Sequence, residues 1–151
     1  MCLILFALDQ HPDYPLIIAA NRDEFFERPT KAAHYWDEAS HIFAGRDLQA
    51  GGTWMGISTS GRFAAVTNYR SPILPPGQAI SRGELCSNYL NSTLPAEEFL
   101  ENIHRDNERY AGFNLLVGDK HAMYYYANHQ QSITKLEAGF HGLSNGSLND
   151  D

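Results

Sequence analysis

Met1-Cys2-Leu3-Ile4-Leu5-Phe6-Ala7-Leu8 and Leu16-Ile17-Ile18-Ala19-Ala20-Asn21-Arg22-Asp23-Glu24, parted by Asp9-Gln10-His11-Pro12-Asp13-Tyr14-Pro15, form the stretch on which the fold turns. Two short apolar runs around a segment dense in turn formers and breakers predict a hairpin of buried strands. Pairing Leu8 with Leu16 in antiparallel register sets Cys2 opposite Arg22. Directly opposed residues share a face, with Cβ atoms ~5 Å apart. The charged cluster 21–24 therefore arrives beside the start of the chain.

That meeting has chemical content. Cysteine is small enough for methionine aminopeptidase, so Met1 is expected to be removed. Cys2 would then carry both a thiol and a free α-amine. A terminal amine titrates near pH ~8 and can serve as the thiol's own base. Arg22 can stabilise a thiolate, and Asp23 can hold the amine through a charge-assisted hydrogen bond. The same residues also suit a plainer role. Cysteine packs well at the start of a buried strand, and charges often finish strands.

Outward from the hairpin, composition describes one domain over 1–151. A chain of 151 residues buries ~70% of its unfolded surface, and 43% hydrophobic residues supply a core without staples. A formal charge of −7 argues against nucleic acid and anionic membranes as partners. Only two cysteines are present, so there is no disulfide framework, and a reducing, cytoplasmic setting is expected. The opening apolar run is too short for a membrane span and lacks the basic start and cleavage site of a signal peptide.

Further along, strands are expected at 42–44, 54–57 and 63–67, with Ser60-Gly61 turning between the last two. Ser71-Pro72-Ile73-Leu74-Pro75-Pro76-Gly77 reads as a loop. Ser81-Arg82-Gly83-Glu84 reads as a capping box opening a helix, with Ile80 and Leu85 as its hydrophobic staple. A second helix starts near 93–95 and presents Ala96, Phe99, Leu100 and Ile103 as one buried stripe. Strands resume at 113–117, 123–127, 132–136 and 140–144. This order predicts an α+β fold, with antiparallel sheet and a helical layer on one face.

Several blocks carry a family resemblance. Met1-Cys2 with Asn21-Arg22-Asp23-Glu24-Phe25-Phe26-Glu27-Arg28-Pro29 resembles the NRDE family, also called transport and Golgi organisation 2-like. Ala44-Gly45-Arg46-Asp47 with Gly51-Gly52-Thr53-Trp54-Met55-Gly56 fits it, as does Gly61-Arg62-Phe63-Ala64-Ala65-Val66-Thr67-Asn68-Tyr69-Arg70. Gly112-Phe113-Asn114-Leu115-Leu116-Val117-Gly118-Asp119 and Gly142-Leu143-Ser144-Asn145 complete the pattern. The family in turn resembles cysteine N-terminal nucleophile hydrolases of the penicillin V acylase and bile salt hydrolase branch. That likeness implies an αββα sandwich of antiparallel sheets, incomplete here at its C-terminal end. Family members generally run longer, so 1–151 is expected to be the N-terminal portion of the usual length. The likeness also implies Cys2 as nucleophile, Asp23 steadying the α-amine, and Asn68 with Asn145 as the oxyanion pocket. The branch places an arginine just before its Asn; here Ala20 precedes Asn21, and the arginine follows as Arg22.

Other motifs are weaker. The Gly51-Gly52-Thr53-Trp54-Met55-Gly56 block lacks the Lys-Ser/Thr of a phosphate loop and reads as a tight turn into a strand. The seven histidines show no close metal spacing. Cys86 reads as core filling within a helix, and Tyr124-Tyr125-Tyr126 as a strand of alternating exposure. Two function classes follow from the resemblance. One is hydrolysis of a linear, non-peptide amide, with a small-molecule substrate and no cofactor. The other is a non-catalytic haem-binding or haem-trafficking protein.

Overall fold

The computed structural model describes residues 1–70, 77 and 79–150. The opening hairpin forms as the apolar runs require: β1 (Leu3–Leu8) and β2 (Leu16–Asn21) pair antiparallel with Leu8 opposite Leu16 and Leu3 opposite Asn21. The expected register is therefore the observed one. β10 (Gly139–Leu143) pairs with the other edge of β1, giving a three-stranded sheet in the order β10-β1-β2.

The other strands are β3 (Thr30–Tyr35), β4 (Ile42–Asp47), β5 (Met55–Ser58), β6 (Phe63–Asn68), β7 (Phe113–Gly118), β8 (Met123–Ala127) and β9 (Ser132–Lys135). They form one seven-stranded antiparallel sheet in sequence order. Apart from β6 and β7, neighbouring strands are joined by short connections. Gly61, with φ +85°, makes the β5–β6 turn, which Ser58 N–H closes on the Arg62 carbonyl at 2.9 Å. Between β6 and β7 the chain crosses the sheet through α1 (Gly83–Asn91), α2 (Ala96–Arg105) and a single 3₁₀ turn (Asn107–Arg109).

Side-chain alternation sorts the large sheet's two faces. Ala64, Val66, Phe113, Leu115, Val117 and Tyr126 pack against Leu85, Cys86, Tyr89 and Leu90 of α1 and Phe99 and Leu100 of α2. Phe63, Ala65, Leu116, Met123 and Tyr125 face Ile4, Phe6 and Leu143 of the small sheet. The layers run helix, sheet, sheet, so both faces of the central sheet are covered. Each large apolar side chain buried in these seams is worth about 1.5–3 kcal/mol of transfer free energy. The mixed α+β, largely antiparallel architecture agrees with expectation. Of the αββα order, three layers are present among the described residues. The outer face of the small sheet is apolar and open: Leu5 stands opposite Ala19 and Gly142, Ala7 opposite Ile17 and Phe140, and Phe140 is 79% exposed.

Three local expectations change. The Ser81–Glu84 capping box does not form: Arg82 is the N-cap, already helical at φ −62° and ψ −25°, and no side chain caps it. The Ser81 and Arg82 carbonyls instead take the Glu84 and Leu85 N–H groups, so the helix winds up from a tight turn. The tyrosine run does not alternate in exposure. Tyr125 is buried toward the small sheet, Tyr126 is buried toward the helices, and Tyr124 packs beside it, because β8 is covered on both sides. Strand β3 was not expected, since its exposed Thr30-Lys31-Ala32-Ala33 half carries no apolar alternation. The loop read over 71–77 lies, apart from Gly77, outside the described residues.

Candidate functional site at the chain start

Cys2 sits one residue before β1, where four strand ends converge. Its Sγ accepts the Asp23 backbone N–H at 3.3 Å and lies 3.9 Å from the Asp23 carbonyl oxygen. Its own N–H donates to Asn145 Oδ1 at 2.9 Å, just past the end of β10. The Asn145 amide then donates to the Asn68 carbonyl, at the end of β6, at 2.7 Å. The Asn21 amide donates to the Met1 carbonyl at 3.2 Å, and the Met1 ammonium pairs with the Asp23 carboxylate.

The five residues singled out from sequence are thus gathered to different degrees. Cys2, Asp23 and Asn145 are joined by hydrogen bonds. Asn68 enters through its main-chain carbonyl, with its side chain exposed. Arg22 donates from Nη2 to Glu24 Oε2 at 3.1 Å, and among the described residues no hydrogen bond joins it to the sulfur. Cys2, Arg22, Asp23 and Asn68 all line one cleft of about 1190 Å³, whose apolar wall includes Trp54, Met55 and Ile80.

The thiol is 8% exposed, and burial raises its pKa; the chain's amino group and Arg22 pull it back down, while Glu24 adds a further rise. Burial wins in the chain bearing Met1. Removing Met1 would place an ammonium on Cys2 itself, one residue nearer the sulfur. Burial drives the Cys86 thiol far up, with Sγ 3.5 Å from the Trp54 carbonyl oxygen, as its core-filling role requires.

A buried polar network holds this arrangement in place, and sequence reading missed it. Asn114, fully buried in the middle sheet, donates to Thr67 Oγ1 at 3.1 Å and to the Gly146 carbonyl at 2.8 Å. Its Oδ1 accepts the Tyr125 hydroxyl at 2.8 Å, and Thr67 Oγ1 donates to the Ser144 carbonyl at 2.7 Å. The two carbonyls gripped in this way flank Asn145, so the network fixes the residue that holds the Cys2 main chain. The one signal was a polar residue inside the apolar run 113–117, since buried polar groups of this kind are kept only when paired.

The glycine block also has a definite role. Gly51, at φ +78°, makes the turn. A Cβ on Gly52 would stand 2.5 Å from the Gly83 carbonyl carbon, so the head of α1 lies directly on this backbone. Thr53 N–H donates to the Gly83 carbonyl at 3.2 Å, which seats Arg82 at the cleft wall. Opposite, Arg28 pairs with Asp47 at 2.6 Å and lies 3.9 Å from Glu24. Burial pushes the Asp47 carboxyl up, but the Arg28 hydrogen bond and the Gln49 and Ala50 N–H groups outweigh it, holding it below the usual range. Among the described residues, no three His, Cys, Asp or Glu side chains are grouped to hold a metal, and no helix is long and apolar enough to cross a membrane.

Known proteins share this pattern. The family model described as Transport and Golgi organisation 2 matches residues 1–151. The Transport and Golgi organization 2 homologs of Mus musculus and Homo sapiens are each 40% identical to 98% of this chain, across 58% of their own length. Transport and Golgi organization protein 2 of Drosophila melanogaster is 35% identical to 77% of the chain, across 45% of its own. The chain spans little more than half the length of the mouse and human relatives and less than half that of the fly protein. It belongs to the Transport and Golgi organisation 2 family.

Proposed function

We propose that the protein is a cysteine N-terminal nucleophile amidohydrolase acting on linear, non-peptide amides. The observation that supports this reading best is the hydrogen-bonded convergence of Cys2, Asp23 and Asn145, with Cys2 and Asp23 lining a large cleft. With Met1 removed, the Asp23 carboxylate is free to take the Cys2 ammonium in place of the Met1 group that it now pairs.

In the first step the neutral Cys2 amine accepts the thiol proton as Sγ attacks the substrate carbonyl. The S–C bond forms, the C–N bond breaks, and the ammonium returns that proton to the departing amine. Water then hydrolyses the thioester, with the same amine as base. Asn145 has a second amide N–H beyond the one spent on Asn68, and Asn68 is exposed and lines the cleft. Together they are the oxyanion donors of this reading, each worth about 3 kcal/mol in the transition state.

The test is amide turnover by natively expressed protein whose intact mass shows loss of Met1. Activity on N-acyl amides that disappears in Cys2→Ala and falls sharply in Asp23→Asn supports the proposal. Full processing with no turnover on a broad N-acyl amide panel would sink it. The carrier reading is separated by haem titration: a new absorbance band that depends on Cys2 would favour it.

A further inference from the structure

Charge in this protein is unevenly placed. Of eleven lysines and arginines, Arg22, Arg28, Lys31, Arg46 and Arg82 line the cleft, against Asp23, Glu24 and Asp47 out of eighteen acids. Five cations against three carboxylates leave the cleft at +2, while the rest of the chain stands at −9. A cationic cleft in an anionic protein concentrates anions there.

Most of these arginines already have acidic partners. Arg22 pairs with Glu24, Arg28 with Asp47, and Arg46 with Glu38 while its guanidinium lies 3.9 Å from the Trp36 ring centre. Arg82 differs. It is half-buried, its Nη1 donates to the neutral Gly112 carbonyl at 3.1 Å, and it forms no ion pair among the described residues. Burial lowers its pKa, Glu24 opposes that and Arg28 adds to it, so the site holds a desolvated cation in need of negative charge. Glu24 is shared between Arg22 and Arg28. The contact of Gly52 with Gly83 fixes the main chain beneath Arg82 and limits the ordering cost of using it.

We propose that the amide taken by this cleft carries an anionic head, a carboxylate or a phosphate, which Arg82 receives. This deepens the amidohydrolase reading and rests on it, by naming the substrate class. Arginine suits the role because its planar fork can grip two anionic oxygens at once.

Binding is measured by calorimetry on the processed Cys2→Ala chain, so that no turnover intervenes. The probes are N-octanoylglycine, its methyl ester, and N-octanoyl-O-phosphoethanolamine. The ester should bind at least tenfold more weakly than the better acid, and the stronger acid identifies the head group. Arg82→Gln should weaken binding of the acids about 10- to 100-fold and leave the ester unchanged, as expected for one charge-assisted hydrogen bond. Should Arg82→Gln fail to fold, salt dependence of the parent replaces it: affinity for the acids must fall with ionic strength while that for the ester does not. Equal binding of ester and acids, no binding of any probe, or an Arg82→Gln effect common to all three overturns the proposal. Charge-selective binding without turnover in the parent sinks hydrolysis alone. Turnover indifferent to the head group sinks this inference alone.

Discussion

Gly52→Ala should destabilise the protein by distorting the seat of α1. An added Cβ would meet the Gly83 carbonyl carbon at 2.5 Å, its oxygen at 2.6 Å and the Glu84 nitrogen at 2.9 Å. All three are main-chain atoms on a helix whose inner face is buried under Leu85, Cys86 and Tyr89, so no flexible side chain can give way. Overpacking of this kind costs about 1–3 kcal/mol, and the stiffer unfolded chain returns about 0.4–1 kcal/mol. A net loss of about 1–2 kcal/mol follows, or a Tm drop of roughly 2–8 °C at this chain length. Gly45→Ala is the control, since its Cβ would meet only the Lys31 carbonyl at 3.4 Å. It should leave Tm unchanged or slightly raised. Thermal unfolding followed by circular dichroism on parent and both variants decides the matter. If Gly52→Ala melts within a degree of the parent, the helix head does not rest on that glycine. The placement of Arg82 would then need another cause.

Asn114→Leu should cost about 2–4 kcal/mol by urea titration, because it leaves the Tyr125 hydroxyl, Thr67 and the Gly146 carbonyl without their buried partner. Iodoacetamide labelling of Cys2 should accelerate in the same variant as the segment around Asn145 loosens. The Cys86 thiol has a folded pKa above its unfolded value, so its contribution is complete below about pH 8.5 and is lost as pH rises toward the folded value. Between pH 8.5 and 10.5, Tm should therefore fall more steeply in the parent than in Cys86→Ala, and parallel curves would refute the assignment. Asp47 behaves in the opposite sense. Its depressed carboxyl stabilises the fold above its ordinary pKa and loses that contribution as pH falls through the lowered one. Arg28→Gln should be less stable at pH 6 and lose less on acidification to pH 3, and an unchanged acid slope would count against the pair.

The hairpin register was readable because one residue of slip would have moved Ile4 and Phe6 out of the core. Helix α2 was readable for a similar reason, since Ala96, Phe99 and Leu100 declare one buried face. Strand β3 was hidden because an exposed edge imposes no pattern on its residues. The capping box failed because side-chain type at 81–84 does not report that backbone carbonyls have already taken the first N–H groups. At the site, the meeting of Cys2 with Asp23 followed from register alone. The contribution of Asn145 required knowing that β10 runs beside β1, a pairing across most of the chain that no local pattern carries. Arg82 was invisible for the same reason. It reaches the cleft only because Gly52 lets a helix from thirty residues later settle there.

The ion pair between the Met1 ammonium and Asp23 has a practical side. Any affinity tag or fusion partner joined ahead of Met1 abolishes that ammonium and adds polypeptide next to Cys2, which lines the cleft. On the amidohydrolase reading, screens run on such fusions should show no turnover, because Cys2 then lacks its free amine. A tag at the far terminus, or one cut to expose Cys2 as the first residue, leaves Asp23 its cation and the cleft its entrance.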